Sequence, residues 1–400
     1  MRATLHHRDG GPATALVKAV SEQALEREHR ITPLELFFDL VFVFAFTQVT
    51  SVFLGDQSWA GLGHGLLILA ALWSVWASYA WLTNTVDAGQ DAVLAAIVVA
   101  MAAIFIAALA VPDAFGRHGV IFGVALLIAS LMYLALHALS ARPDRELLAA
   151  ILRIAPSNLL SAALVVAAGF AGDALKSSLW LVALAVGLSG PLLGGLQGWR
   201  LQPAHFVERH GLIVIIAIGE SVFAMGVGAR SANLGVGVIV AAVLGLLVAA
   251  AFWLAYFDFA PARLQQLLTE RRGSVRVALA RDVYSYLHLP MVAGIVLLAF
   301  AMEVTLAHVG KKLDTIPAVA LCAGPALYLF AYSAVRVRVS RALSRAIAAV
   351  VCAAVLPIAL AVPALAALAQ VAAVWVLLHT YEVIRYREER AQARALRLTA

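Results

Sequence analysis

Leu34-Glu35-Leu36-Phe37-Phe38-Asp39-Leu40-Val41-Phe42-Val43-Phe44-Ala45-Phe46-Thr47-Gln48-Val49-Thr50-Ser51-Val52-Phe53-Leu54 is one apolar run with two carboxylates set into it. A helix needs roughly 20 apolar residues to cross a bilayer. This stretch supplies that length without a proline or glycine, and it reads as a membrane-spanning helix. Similar runs follow at about 60–82, 91–111, 119–139, 148–171, 178–198, 206–229, 234–257, 283–307, 317–335, 343–361 and 363–384. The fifth contains Pro156, and the last two are parted by Pro357 and Pro363, which fit a tight turn or a broken hairpin.

Composition agrees with twelve spans. The 400 residues are 63% hydrophobic and 13% charged, whereas a soluble domain is about half apolar and a quarter charged. Disordered, collagen-like and disulfide-stapled classes fail on the same figures, since charge is scarce and only two cysteines occur. The expected fold is therefore all-α and polytopic, surrounded by the lipid bilayer. Residues 1–33 are polar and lack the apolar core of a cleaved secretory signal. Residues 385–400 form a basic tail that reads as a helix on the membrane surface.

Charge sets the orientation. With twelve spans and a cytoplasmic N-terminus, the outer segments hold only Arg117, Lys176, Arg230, Lys311 and Lys312 of the 29 Lys and Arg residues. Cytoplasmic loops carry such an excess, so both termini are expected inside. The net charge of +6 then reports topology rather than a nucleic-acid footprint.

The two halves look alike. Asp39-Leu40-Val41-Phe42-Val43-Phe44-Ala45 in the first span answers Glu220-Ser221-Val222-Phe223-Ala224-Met225-Gly226 in the seventh, with Glu28-His29-Arg30 and Glu208-Arg209-His210 upstream of each. Trp81-Leu82 running to Asp87 answers Trp253-Leu254 running to Asp258. Asp91 with Ala102-Ala103-Ile104 answers Asp282 with Ala293-Gly294-Ile295, and Met132-Tyr133-Leu134 answers Leu327-Tyr328-Leu329. Two tandem six-helix repeats, 34–198 and 199–384, are expected. Six spans return the chain to the side it started from, so the repeats are parallel.

Three ordered motifs carry a family resemblance. They are Pro33 to Ala45, Glu208-Arg209-His210-Gly211-Leu212 followed by Gly219-Glu220-Ser221, and Arg281-Asp282 followed by Tyr284-Ser285-Tyr286-Leu287-His288-Leu289-Pro290. Together, over about residues 30 to 385, the chain resembles the bacterial low temperature requirement protein A family. That resemblance implies an integral membrane protein of the cell membrane, and the family name records a cold-growth phenotype rather than an activity.

Ionisable residues at membrane depth carry the functional expectation, because a charge there costs roughly 3 kcal/mol and marks a cavity, a partner or a pathway. Glu220 lies near mid-depth of span seven. Eleven residues turn a helix by about 1100°, so Arg209 shares its face, and His205 lies four residues before Arg209 on the same stripe. The pair reads as a basic mouth leading to a central acid, or else as Glu220 held for packing. Asp39 matches Glu220 in the repeat, and the two are expected at a shared central cavity. Glu35 lies one turn earlier on the same face and reads as either a pathway acid or a helix-start acid favoured by the dipole. On span nine Arg281, Tyr284 and His288 form one stripe, with Asp282 and Tyr286 on another. His288 reads as a proton relay or as a donor to a backbone carbonyl, Pro290 and Gly294 free backbone groups nearby, and Glu303 reaches towards headgroups.

Other signals point to packing. Gly187-Leu188-Ser189-Gly190 matches the short serine motif of intramembrane proteases, with His288 as the conceivable base, but small residues usually serve close helix approach. Cys322 and Cys352 read as small buried hydrophobes, and Phe37, Phe38, Phe42, Phe44 and Phe46 as lipid-facing bulk. No metal-ligand spacing or cofactor motif stands out. The leading reading is a secondary transporter of an unknown small solute or cation coupled to protons, not an enzyme. It resembles the major facilitator architecture only in span count. A cation pore is the alternative, since Phe37-Phe38-Asp39 is similar to the Phe-x-Asp motif on the first and seventh helices of lysosomal potassium channels. A non-transporting scaffold or intramembrane enzyme is the third reading.

Overall fold

A computed structural model of the chain describes residues 31–86, 91–258, 260–337, 343–385 and 387. The polar segment 1–30, Asp87 and the tail beyond 387 lie outside these residues, with the readings attached to them. Twelve helices among the described residues are long and apolar enough to cross a membrane. They are α1 (Pro33–Gly55), α2 (Trp59–Thr83), α3 (Asp91–Asp113), α4 (Gly119–Ser140), α5 (Arg145–Phe170) and α6 (Asp173–Leu193), then α7 (Pro203–Arg230), α8 (Val236–Phe257), α9 (Gly273–Ala307), α10 (Thr315–Val337), α11 (Ser344–Ala361) and α12 (Ala364–Arg385). A short helix, Ala260–Glu270, joins α8 to α9. The protein is a multi-pass, all-α membrane protein.

Local chemistry starts the helices where the sequence breaks its apolar runs. At α1, Thr32 accepts from the Glu35 amide at 3.3 Å while the Glu35 carboxylate accepts from the Thr32 amide at 2.9 Å, with Pro33 in the first turn. This reciprocal cap satisfies two otherwise unpaired donors. Asp144 caps α5 by accepting from the Glu146 and Leu147 amides, and the Leu147 bond, followed by the nearby Arg200, holds its carboxyl below the usual range. α5 runs through Pro156 unbroken. α11 breaks at Val355, ahead of Pro357, and α12 starts after Pro363.

α9 is the central helix. Every residue from Met291 to Met302 is buried, and the helix packs on α1, α2, α7, α8, α10 and α12. Gly294 and Gly324 make its contact with α10 possible, because a Cβ on either would collide with the other's carbonyl oxygen. Near its start, Arg281–Leu287 is π-helical. Outward faces are apolar, as with Leu94, Val98, Phe105 and Leu109 on α3 and Ile239, Val243 and Leu246 on α8. In water such faces would be an association hazard, and here they suit acyl chains.

The loops sort to two ends. At one, Asn84 after α2 bonds Gln202 before α7, and Arg200 pairs with Asp144 at 2.8 Å. At the other, Lys176 donates to Phe115 O at 2.7 Å, and Ala364 donates to Lys311 O beside the Lys312–Pro363 bridge.

One expectation is corrected here. Phe38, Phe42 and Phe46 are buried rather than lipid-facing, while Phe37 is exposed and Phe44 is half-buried. Lipid and protein interior are equally apolar, so hydrophobicity alone does not say which way a ring points. Cys322 and Cys352 are buried and free, as their sequence context suggests.

Candidate functional site

The seam between α1 and α7 gathers the buried charge. Arg209 is fully enclosed, and its Nη1 donates to Asp39 Oδ2 at 3.2 Å and to the Glu35 carbonyl at 2.9 Å, with Nε 3.7 Å from Glu35 Oε1. Its guanidinium also lies 5.6 Å from the Phe38 ring centre. Asp39 Oδ1 accepts from Trp76 Nε1 at 3.0 Å, so α2 completes the cluster. His205 Nε2 stands 3.1 Å from the Glu35 carboxylate.

Neighbouring backbone fixes the histidine's state. The Gln202 amide donates to Asn84 Oδ1 at 2.7 Å and Asn84 Nδ2 donates to Gln202 O at 3.0 Å, which orients the Asn84 amide. Its Nδ2 then faces His205 Nδ1 at 3.2 Å. Since Nδ2 can only donate, Nδ1 accepts, and the ring hydrogen sits on Nε2 and is given to Glu35. With His205 neutral, two carboxylates face one guanidinium. The cluster then holds one more negative than positive charge.

Glu220 sits apart from it. Its Oε2 accepts from Thr47 Oγ1 of α1 at 2.6 Å, and its Oε1 is buried without a hydrogen-bond partner among the described residues. Arg209, expected on the same stripe as a mouth for Glu220, instead reaches sideways to α1. Asp39 and Glu220 are both buried, as expected of non-lipid-facing acids, and each has its own hydrogen-bond partners. They lie at different depths of one packed seam. From Glu35 to Thr47 α1 rises about 18 Å, so three carboxyl groups are strung along most of a leaflet's depth and beyond.

The other expected residues have partners elsewhere. His288 gives Nδ1–H to Val283 O at 2.9 Å, and its Nε2 accepts from Tyr256 at 2.8 Å, so both nitrogens are committed. Its ring lies 5.5 Å from His210, which in turn packs edge-on against Trp76 at 4.9 Å. Asp282 accepts from Arg281 at 2.7 Å and 2.9 Å. Glu35 is a helix-start acid, as one reading expected, since it caps α1, and it is buried rather than solvated. Ser189 donates to Val186 O within its own helix, and His288 is bonded to Val283 and Tyr256 instead. Gly187 and Gly190 instead lie against Ser161 and Ser157 of α5, where a Cβ would strike the hydroxyls.

A second polar place was not read from the sequence. α2, α4, α5, α6 and the π turn of α9 line a part-open cavity of about 140 Å³ walled by Ser74, Ser78, Ser157, Asn158, Ser161 and Ser285 among apolar and aromatic side chains. The signal was available, because Ser74 with Ser78 and Ser157 with Ser161 are each spaced i, i+4 and mark one face of an otherwise apolar helix.

Comparison with known proteins follows the same boundaries. The model of the Bacterial low temperature requirement A protein (LtrA) family matches residues 30–380. An uncharacterized protein of Rhizobium meliloti (strain 1021) is 30% identical over 306 residues, covering 74% of each chain. No solved structure matches. By sequence over nearly its whole length, and with twelve membrane-length helices to carry it, the chain belongs to the bacterial low temperature requirement A family.

Proposed function

We propose that this protein is a proton-coupled secondary transporter of the cytoplasmic membrane, with both termini inside and two parallel six-helix repeats. The observation that carries the reading is the line of carboxyl groups at Glu35, Asp39 and Glu220 along the α1–α7 seam, served by a single buried guanidinium. Buried acids in such excess are costly in a membrane unless protons or cations relieve them. Unfilled bonding capacity at Arg209 Nη2 and Glu220 Oε1 suits groups that change partners during a cycle.

The repeat is supported by neighbour relations. α1 packs on α2 and α3, α3 on α4, α4 on α5, α5 on α6 and α2 on α6, and each pair recurs six helices later. The seam between α1 and α7 then joins equivalent helices of the two halves, where parallel-repeat transporters place their sites. A route from proton to solute runs through α2. Trp76, which donates to Asp39, stacks on Trp73 at 5.0 Å, and Trp73 borders the serine-walled cavity and donates to Ser285 O at 2.8 Å. A change of charge at Asp39 therefore reaches the cavity wall through two rings. For a pore, α1 would have to part from its neighbours on the face where Phe42 and Phe46 are buried beside Asp39.

The test is flux in liposomes. Protein reconstituted with a pH-sensitive dye inside should move protons when the right solute is supplied. Glu220→Gln is expected to insert normally, since Thr47 can still donate to the amide oxygen, yet to lose the pH dependence, and Glu220→Asp to keep part of it. Wild-type pH dependence in Glu220→Gln at matched abundance would refute the coupling role.

A further inference from the structure

We infer that the cavity between α2, α4, α5, α6 and the π turn of α9 binds a small, uncharged polyhydroxyl compound. Its walls are rich in hydrogen-bond acceptors. Ser74 donates to Ala70 O, Ser78 to Ser74 O and Ser157 to Ile154 O, each at 2.8 Å, and Ser161 donates to Ala183 O at 2.7 Å. A hydroxyl has one hydrogen and two lone pairs, so each of these side chains has spent its hydrogen on backbone and keeps oxygen free to accept. Ser285 Oγ receives the Trp81 indole at 3.0 Å, and Asn158 Oδ1 is buried with no hydrogen-bond partner among the described residues. The ligand that satisfies such a wall brings donors.

Charge narrows the class. The one charged side chain in the wall is Arg281, whose guanidinium is taken by Asp282 and by Pro191 O at 3.2 Å. A cation would meet no free carboxylate there, and an anion would have to displace Asp282. Either would be left uncompensated in a low-dielectric site. The Trp81 and Trp180 rings also border the space, offering flat apolar faces to a carbon skeleton while the serine oxygens take its hydroxyls.

Size limits it further. A cavity of about 150 Å³ holds a six-carbon ring, so the 140 Å³ here suits a solute of roughly six to eight non-hydrogen atoms. Glycerol and erythritol have that size and present a donor on every carbon. Proline geometry helps to hold the wall. Pro191 interrupts the bonding of α6, and Tyr286 donates across to Leu188 O at 2.6 Å while Arg281 reaches Pro191 O. The π turn thus forms the floor of a cavity that belongs otherwise to the first six helices.

As a substrate assignment this rests on the transporter reading, but binding tests it separately. Erythritol and glycerol are titrated into the purified full chain in detergent, read by calorimetry and by tryptophan fluorescence, with choline and lactate as charged controls. Saturable erythritol binding is expected, weakened at least tenfold in Asn158→Leu, several-fold in Ser157→Ala and Ser285→Ala, and less in Asn158→Gln. If Asn158→Leu does not elute as a folded species, the two serine variants decide. Absence of saturable polyol binding, tighter binding of choline or lactate, or unchanged affinity in the folded variants would overturn the assignment. Liposome uptake then separates the two ideas. Polyol binding without proton-driven uptake would sink the coupling and leave the cavity, whereas proton-driven uptake of some other solute with no polyol binding would sink the cavity alone.

Discussion

Replacing Arg209 by glutamine should cost far more than replacing Asp39 by asparagine, although the two side chains share one hydrogen bond. Arg209 has no exposed surface and stands between Asp39 Oδ2 at 3.2 Å and Glu35 at 3.7 Å. Arg209→Gln leaves two buried carboxylates facing each other, and removing one partner of a buried ion pair costs about 3–5 kcal/mol. That is roughly two to four decades in the unfolding constant. Asp39→Asn removes the surplus negative charge instead. Its amide oxygen still accepts from Trp76, and Arg209 keeps Glu35, so the change should stay within about 1 kcal/mol of the parent. In the double variant one carboxylate remains unpaired rather than two, and a coupling of about 1–3 kcal/mol is expected. Unfolding of the detergent-solubilised protein by graded addition of a denaturing surfactant, followed by tryptophan fluorescence, gives the four free energies. Equal losses in the two single variants, or a coupling below about 0.5 kcal/mol, would refute the charge count on which the proton-uptake argument stands.

Reporter fusions placed after Arg272 and after Arg338 should read as cytoplasmic and one at Lys312 as external; an external signal at Arg272 would break the proposed orientation. Gly294→Val should destabilise the fold by about 1–3 kcal/mol or more, because its side chain would enter the backbone of α10 at Gly324, and thermal denaturation in detergent reads this directly. Asp144 carries a lowered folded value through the Leu147 amide and Arg200, so its charge stabilises the fold above the ordinary carboxylate range, and that contribution is lost as pH falls through the lowered value. The melting-temperature gap between the parent and Asp144→Asn should therefore be largest near neutral pH and close in strong acid. A gap that widens on acidification would contradict the cap's role.

Twelve spans were legible because length and apolarity decide insertion, and both are written along the chain. Partner choice was not. Arg209 and Glu220 do lie on one stripe of α7, but whether that stripe meets α1 or a cavity depends on how α7 is rotated and crossed, which a membrane's uniform apolarity does not encode. The acids of α1 did hold the answer to its rings. Glu35 and Asp39 share a helical face with Phe38, Phe42 and Phe46, so burying the carboxylates inward carries the rings with them. The serine pairs of α2 and α5 carry a fainter signal, because a hydroxyl on its own is common in membrane helices. The Arg345–Glu382 pair at 2.8 Å, capped by Tyr332 at 4.4 Å from the guanidinium, gave no local signal, since its halves lie 37 positions apart.

The π-helical stretch Arg281–Leu287 has a consequence for how this chain tolerates change in length. A π turn is an α-helix holding one residue more than the pitch allows. Deleting one position within 281–287 would let the helix close into α geometry, with His288 to Ala307 left in place among six neighbours. Because the turn already absorbs the surplus residue, what precedes it would keep nearly its phase, and only the side chains within the turn would be re-aimed. Such a shortened chain would insert and fold, while Ser285, inside the turn, would no longer meet the cavity at the same angle. A one-residue deletion at this point would therefore reshape the cavity wall without costing the fold.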